Sequence, residues 1–255
     1  MTQAVHGNAP ITLMPKQPNP SLCERVECYA NMNNCGVALT GRPGVGKTTL
    51  IRNVVSALCG NEREDVVSAP CGNEREDVVF APCRKAGGML TSEIRKCGHR
   101  VGFSVTDLAT DRSGILAHIH QTVGHQIGRY RVCLADLETI GVAAIENAVA
   151  DSRIDLVVID EIAPMELVSA RFVPAVEQAL ASGKALLIST HAHTDHPLIH
   201  DIRRQLDLVR VKLSNRDTLT DTIVLKLREC MSSRAVDRET SSKGGNEDPL
   251  TQDIP

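Results

Sequence analysis

Residues Gly41-Arg42-Pro43-Gly44-Val45-Gly46-Lys47-Thr48 read G-x-x-x-x-G-K-[ST], and no other stretch of the chain restricts its fold so far. A loop of this composition curls tightly between a strand and a helix, so that successive backbone N–H groups point inward at an anion. The flanks supply both elements. Val37, Ala38, Leu39 and Thr40 read as a short buried strand, and Leu50, Ile51, Val54, Val55 and Leu58 recur on one helical face. Gly60 stands where a left-handed C-terminal residue is expected.

The residue types define the chemistry. Gly41, Gly44 and Gly46 let the backbone turn inward, and the helix N-terminus adds partial positive charge. Lys47 would reach the β and γ phosphates of a bound triphosphate, and the Thr48 hydroxyl offers Mg²⁺ the hard oxygen it prefers. Leu156-Val157-Val158-Ile159-Asp160-Glu161 is a second signal, four apolar residues ending in two carboxylates. A buried parallel strand would deliver Asp160 to the carboxyl edge of the sheet, where open α/β folds bind ligands, to help hold a hydrated Mg²⁺. Glu161 follows where a carboxylate can orient or deprotonate an attacking water.

Between these motifs the pattern alternates strand with helix. Gly88 to Arg95 is a possible strand; Val101, Phe103 and Val105 alternate with polar residues, and a turn at Thr110 to Gly114 leads into Ile115-Leu116-Ala117, which predicts a hairpin. Helices are expected from Leu137 to Val149, from Phe172 to Leu180 with Gly183 ending it, and through Leu219, Ile223 and Leu227 with Asp217 or Thr218 as cap. Ala185 to Thr190 reads as a strand, and Val209, Val211 and Leu213 as an edge strand. The alternation implies a three-layer α/β fold with a mostly parallel central sheet.

Composition bounds the rest. At 255 residues and 42% hydrophobic content the chain can bury one good-sized core, with the domain expected over 35–230 and disordered tails at 1–34 and 231–255. CGNEREDVVSAP at 59–70 is repeated as CGNEREDVVFAP at 71–82, which reads as a tandem duplication in a tolerant loop, one copy being expendable. A net charge of −3 without a basic run argues against nucleic acid as partner. No apolar stretch has the length of a membrane span. Nine cysteines, an odd number beside a nucleotide loop, are expected as thiols in a reducing cytoplasm, the protein a monomer. With no Trp, two Tyr and three Phe, base selectivity should be weak.

GRPGVGKTTL, GMLTSEIRKCGHRVGF, VVIDEIAPMEL and the later Asn215-Arg216-Asp217 together resemble the P-loop nucleoside-triphosphatases of the thermophile type, over about residues 35–230. The resemblance implies a RecA-like or kinase-like P-loop fold and slow Mg²⁺-dependent hydrolysis of ATP, GTP and other nucleoside triphosphates. It also implies a nucleotide site made of 41–49, Arg42, Pro43, Val45 and Thr49 included, and of the segment Val158, Ile159, Asp160, Glu161 and Ile162. Arg95 and Arg216 fall in family-like motifs and are candidates to neutralise transition-state charge, ahead of Arg203 and Arg204. The family usually has Gly after Asp-Glu-Ile, whereas Ala163-Pro164 follows here, a stiffer turn with one N–H fewer. The duplication has no family counterpart.

Other constellations compete. His191-Ala192-His193-Thr194-Asp195-His196 matches the H-x-H-x-D-H of binuclear metallohydrolases, yet no histidine follows His200 to complete such a site; adventitious Zn²⁺ or Ni²⁺ binding suits it better. Thr190 or His191 could sense the γ-phosphate. Cys23 and Cys28 lack the second pair a zinc site needs. A guanine-nucleotide switch would need N-K-x-D, which is absent. A nucleotide or small-molecule kinase shares every phosphate-binding feature and differs only in its acceptor.

Overall fold

The structure is a computed structural model that describes residues 35–60 and 85–242. The tail at 1–34, Cys23 and Cys28, and nearly all of the duplicated insert lie outside the described residues.

Nine strands form one sheet in the order β5-β6-β4-β3-β2-β7-β8-β1-β9. They are β1 (Gly36–Gly41), β2 (Ala86–Lys96), β3 (His99–Asp107), β4 (Ser113–His118), β5 (Gln126–Ile127), β6 (Tyr130–Val132), β7 (Leu156–Ile162), β8 (Ala185–His191) and β9 (Asp207–Arg210). Side chains alternate across the sheet as period 2 demands. Ala38, Val157, Ile159, Leu186 and Ile188 enter one core, and Val37, Leu39, Leu156, Val158 and Leu187 enter the other. Helices α1 (Lys47–Cys59) and α5 (Leu219–Ser242) cover the second face through Leu50, Val54, Ile223 and Leu227. On the first face lie α2 (134–150), α3 (Phe172–Ala181) and α4 (Pro197–Gln205). The three-layer α/β expectation holds.

The sheet is parallel only from β2 through β7, β8 and β1 to β9. The expected β3–β4 hairpin is present and belongs to an antiparallel extension in which β3, β4, β6 and β5 follow one another from β2. Helix α2 starts three residues before the predicted Leu137 and is π-helical at Leu137–Val142. Gly141 lies in that wider turn because a Cβ there would come within 2.9 Å of Val105 Cγ2 on β3.

Several local expectations change. Gly60 caps α1 at φ −86°, right-handed and not left-handed, with its N–H on the Ser56 carbonyl. Gly183, at φ 70°, does end α3 in the left-handed region. Strand β9 ends at Arg210, so Val211 turns into the core beneath the phosphate loop while Leu213 is exposed. The Thr218 hydroxyl is engaged with the Asn215 carbonyl at 3.0 Å. Helix α5 runs on to Ser242, past residue 230 where the tail is expected to start. Cys35 and Cys230 are joined by a disulfide across a Cα separation of 5.5 Å, against the expectation of thiols throughout. Packing of α5 beside the start of β1 brings them together; 195 residues apart in sequence, they leave no local signal.

Candidate active site

Strand β1 ends at Gly41, level with His191 of β8. The chain then turns back through Gly44 and Gly46, both at positive φ (75° and 107°), a conformation glycine adopts without steric cost. Gly46 is the N-terminal cap of α1, and the Leu50 N–H donates to its carbonyl at 2.9 Å. Gly41 serves differently. A Cβ there would lie 2.7 Å from the Val211 carbonyl, so this glycine admits the neighbouring loop. Arg42, Pro43 and Thr49 are exposed around the loop and Val45 is buried beneath it.

Lys47 is buried, its Nζ 3.2 Å from the Gly41 carbonyl and 3.0 Å from Glu161 Oε1. The ammonium therefore sits between the loop and the end of β7. What aims Glu161 there is an irregularity of register. Ile159 pairs with Ile188 but Ile162 pairs with Thr190, so β7 carries one extra residue at Asp160-Glu161. Such a bulge re-aims side chains that a regular strand would send to alternate faces.

Asp160 is 1% exposed, its Oδ1 accepting from the Ser189 hydroxyl at 2.5 Å. The Thr48 side chain bonds the same carboxyl group. Burial raises the Asp160 pKa, the Glu161 charge adds to this, and the Ser189 and Thr48 hydrogen bonds oppose it without prevailing. Oδ2 is buried without a partner among the described residues. A buried carboxylate oxygen without a partner costs free energy, and a hard cation beside Thr48 would remove that cost. The donor set fits Mg²⁺.

Val158, Ile159 and Ile162 were expected in the nucleotide-contact segment, but their side chains are wholly buried in the two cores. Their side chains hold β7 in place, and the two carboxylates stand at its end. Arg216 is brought to the loop. Asn215 Oδ1 accepts from the Lys212 N–H at 2.8 Å and its Nδ2 donates to the Arg210 carbonyl at 3.1 Å, closing a turn that lays Arg216 over Gly46. A Cβ built on Gly46 would stand 3.5 Å from Arg216 Cδ and 3.7 Å from its Nη1. Arg95 is held otherwise, exposed at the β2–β3 turn by Glu93 Oε2 (2.6 Å) and the Gly98 carbonyl (3.0 Å). Arg204 pairs with Asp201 on α4.

Two residues escaped the sequence reading. Ser189 is a fully buried hydroxyl whose only signal is polarity late in the run Ala-Leu-Leu-Ile-Ser. Glu166 is a lone acid in Ile-Ala-Pro-Met-Glu-Leu, 3% exposed, with Oε2 accepting from the Ala163 N–H at 3.1 Å. Burial, with the nearby Glu161 and Asp160 charges adding to it, lifts its pKa well above the usual range. The one N–H that Ala163-Pro164 retains is thus used to tie the turn after Glu161.

The histidine motif does not converge. His191 Nδ1 meets Thr194 Oγ1 at 2.9 Å, His196 Nδ1 accepts the Leu198 N–H to cap α4, and His200 pairs with Asp195. Among the described residues no group of three or more His, Cys, Asp or Glu is arranged to hold a metal. Nor is any described helix long and apolar enough to cross a membrane.

A cavity of about 760 Å³ opens beside the loop, on the side away from β7. Gly41, Arg42 and Val45 form one wall, and Arg203 of α4 with the chain following β9 forms the other.

Three comparisons bear on this site. A protein-family model described as NTPase matches residues 79–224. The chain is 43% identical over 187 residues to nucleoside-triphosphatase THEP1 of Methanosarcina acetivorans, covering 73% of this chain and 93% of that one. It is 40% identical over 184 residues to nucleoside-triphosphatase THEP1 of Thermofilum pendens, covering 71% and 88%. The crystal structure of THEP1 from Aquifex aeolicus superimposes with a TM-score of 0.57 at 28% identity, over 74% of this chain and 96% of that one. A phosphate loop facing a bulged, carboxylate-bearing strand is thus accompanied by similarity along nearly the whole length of these relatives, and the chain belongs to the THEP1 nucleoside-triphosphatase family.

Proposed function

We propose that the chain hydrolyses nucleoside triphosphates, ATP and GTP among them, to diphosphate and phosphate, with Mg²⁺ and with broad tolerance of the base. The observation that carries this reading is the Lys47–Glu161 pair at 3.0 Å, which brings the ammonium expected to bind phosphate and a carboxylate capable of taking a proton together at the mouth of the loop. Mg²⁺ held by Thr48 and Asp160 would neutralise charge on the β and γ oxygens.

The chain's own groups do the rest. Backbone N–H groups of the loop and the N-terminus of α1 bind the phosphates. Lys47 exchanges part of its contact with Glu161 for the γ-phosphate, whose charge exceeds that of one carboxylate, leaving Glu161 Oε1 to accept a proton from the attacking water. Ser189 holds Asp160, and Glu166 fixes the turn that follows Glu161. Arg216, lying over Gly46, is placed to meet charge that develops on the phosphates. We read the molecule as a cytoplasmic monomer, a location its nucleotide chemistry favours and the Cys35–Cys230 disulfide speaks against.

The test is phosphate release from ATP, GTP, CTP and UTP with Mg²⁺ and with EDTA, with products identified. Release from all four that EDTA abolishes is expected. Strict use of one base, or activity surviving EDTA, would sink the reading, and phosphorylation of an added acceptor in place of free phosphate would make the protein a kinase.

A further inference from the structure

Two limbs of the fold converge on the phosphate loop, and a disulfide joins their far ends. One limb is β1, which starts beside Cys35 and delivers the chain to Gly41, a rise of about 20 Å. The other is the first half of α5, which begins just after Arg216 and runs from Leu219 to Cys230, a rise of about 16 Å. At the loop the limbs already meet: the Val211 N–H donates to the Thr40 carbonyl at 2.8 Å, and Arg216 lies over Gly46. Cys35–Cys230 closes this frame at the opposite end, across a Cα separation of 5.5 Å.

Packing holds α5 without that closure. Leu219, Ile223, Val224, Leu227 and Met231 meet the second core whatever the state of the sulfurs, and Arg228 donates to the Ala57 carbonyl of α1 at 3.1 Å. The two cysteines differ in access. Cys35 is 1% exposed, whereas Cys230 is only partly buried and offers the side from which a thiolate can enter. Disulfides of proteins that work among cytosolic thiols are ordinarily transient or redox-sensing.

We propose that Cys35 and Cys230 form a reversible thiol–disulfide site, with a low-molecular-weight thiol as its co-reactant, that sets how firmly Arg216 is held over the phosphate loop. A reducing thiolate attacks Cys230 Sγ, the bond to Cys35 breaks, and Cys35 Sγ leaves with the electron pair and takes up a proton. A second thiol of the reductant attacks the mixed disulfide and releases Cys230 as a thiol. The protein gains two electrons and two protons, and two reductant thiols become one disulfide; a low-molecular-weight disulfide reverses the exchange. With the frame open at its far end, α5 keeps its apolar contacts but can shift along β1, and the turn that carries Arg216 moves with it. This coupling rests on the reading of Arg216 as a phosphate contact.

The test uses the full chain, oxidised with glutathione disulfide or reduced with dithiothreitol under native conditions. Peptide mass mapping follows the Cys35–Cys230 link, beside thermal melts and phosphate release from ATP. The link should open and reform. The reduced protein should still melt cooperatively, lower by roughly 5–15 °C, and its kcat should fall about threefold to tenfold. Cys230→Ser should match the reduced protein and ignore dithiothreitol, and Cys35→Ala should do so if the first variant does not fold. In Arg216→Ala the melting shift should remain while the redox effect on kcat is lost, which separates positioning from general loosening. A link that never forms, a link that dithiothreitol opens only in denaturant, equal kcat in both forms, or an undiminished redox effect in Arg216→Ala overturns the proposal. Absence of phosphate release from both forms overturns the hydrolysis reading; the proposal then stands or falls on whether reduction weakens binding of magnesium ATP by about the same factor.

Discussion

Two clusters of charge lie along this sheet and are treated oppositely. At the carboxyl edge of the parallel half, Asp160 and Glu166 are buried and their pKa values raised, and Asp160 keeps one oxygen without a partner. On the antiparallel extension burial also acts to raise Glu93, but hydrogen bonds from Arg100 (2.8 Å) and Arg95 (2.6 Å) outweigh it and leave the pKa lowered. Tyr130 behaves alike, its hydroxyl taking hydrogen bonds from Arg100 and Arg129 and its ring packed edge-on against Phe103. The second cluster is saturated, its charged members at the surface over the buried Tyr130, and the first is buried and incompletely partnered. Saturation staples a hairpin; unspent bonding capacity suits a site that must bind and react.

The sharpest way to break this contrast is Lys47→Ala. On the proposed reading Lys47 meets phosphate in ground and transition states alike, so nucleotide binding and turnover should be lost together, turnover by a factor of about 10³ or more, the scale of a lost transition-state clamp. Titration of ATP alongside phosphate release checks both. Glu161→Gln should separate the two instead, lowering kcat by roughly 10² to 10⁴ while affinity stays near wild type. Near wild-type turnover would remove Glu161 from the water-activating role and make Glu93 or His191 the next residue to test.

The arginines extend the comparison. Arg216→Ala should reduce kcat about tenfold to a hundredfold by removing one charged contact to the phosphates, whereas Arg95→Ala, which releases Glu93 and the Gly98 carbonyl at the β2–β3 turn, should change it by less than about threefold. Equal effects would show that both clusters serve the reaction.

The last comparison is read in stability and not in rate, and concerns Glu166. Its folded-state pKa is raised, so the folded protein binds more protons than the unfolded chain above the usual carboxylate pKa, and stability falls as pH rises toward the folded value. Glu166→Gln lacks that proton. Thermal melts of both proteins from pH 5 to pH 8 should show the variant gaining on wild type by up to about 1.4 kcal/mol per pH unit, the one-proton limit. Parallel curves would mean that Glu166 is already ionised.

The sequence by itself determined the features that repeat over a few residues. The phosphate loop, the apolar faces of α1 and α3, the strand ending in Asp160-Glu161 and the β3–β4 hairpin are set by local periodicity and turn chemistry, and each stands where the pattern puts it. Tertiary structure decided what depends on strand order. The extra residue in β7 aims Asp160 at Ser189 and Glu161 at Lys47, and the loop after β9 lays Arg216 on Gly46. Packing buries Glu166, joins Cys35 to Cys230 and opens the cavity beside the loop. Each of these joins residues from separate elements or buries a charge beneath them. A linear pattern encodes which face of a strand is apolar but not which strand becomes its neighbour, and in this fold the neighbours supply the chemistry.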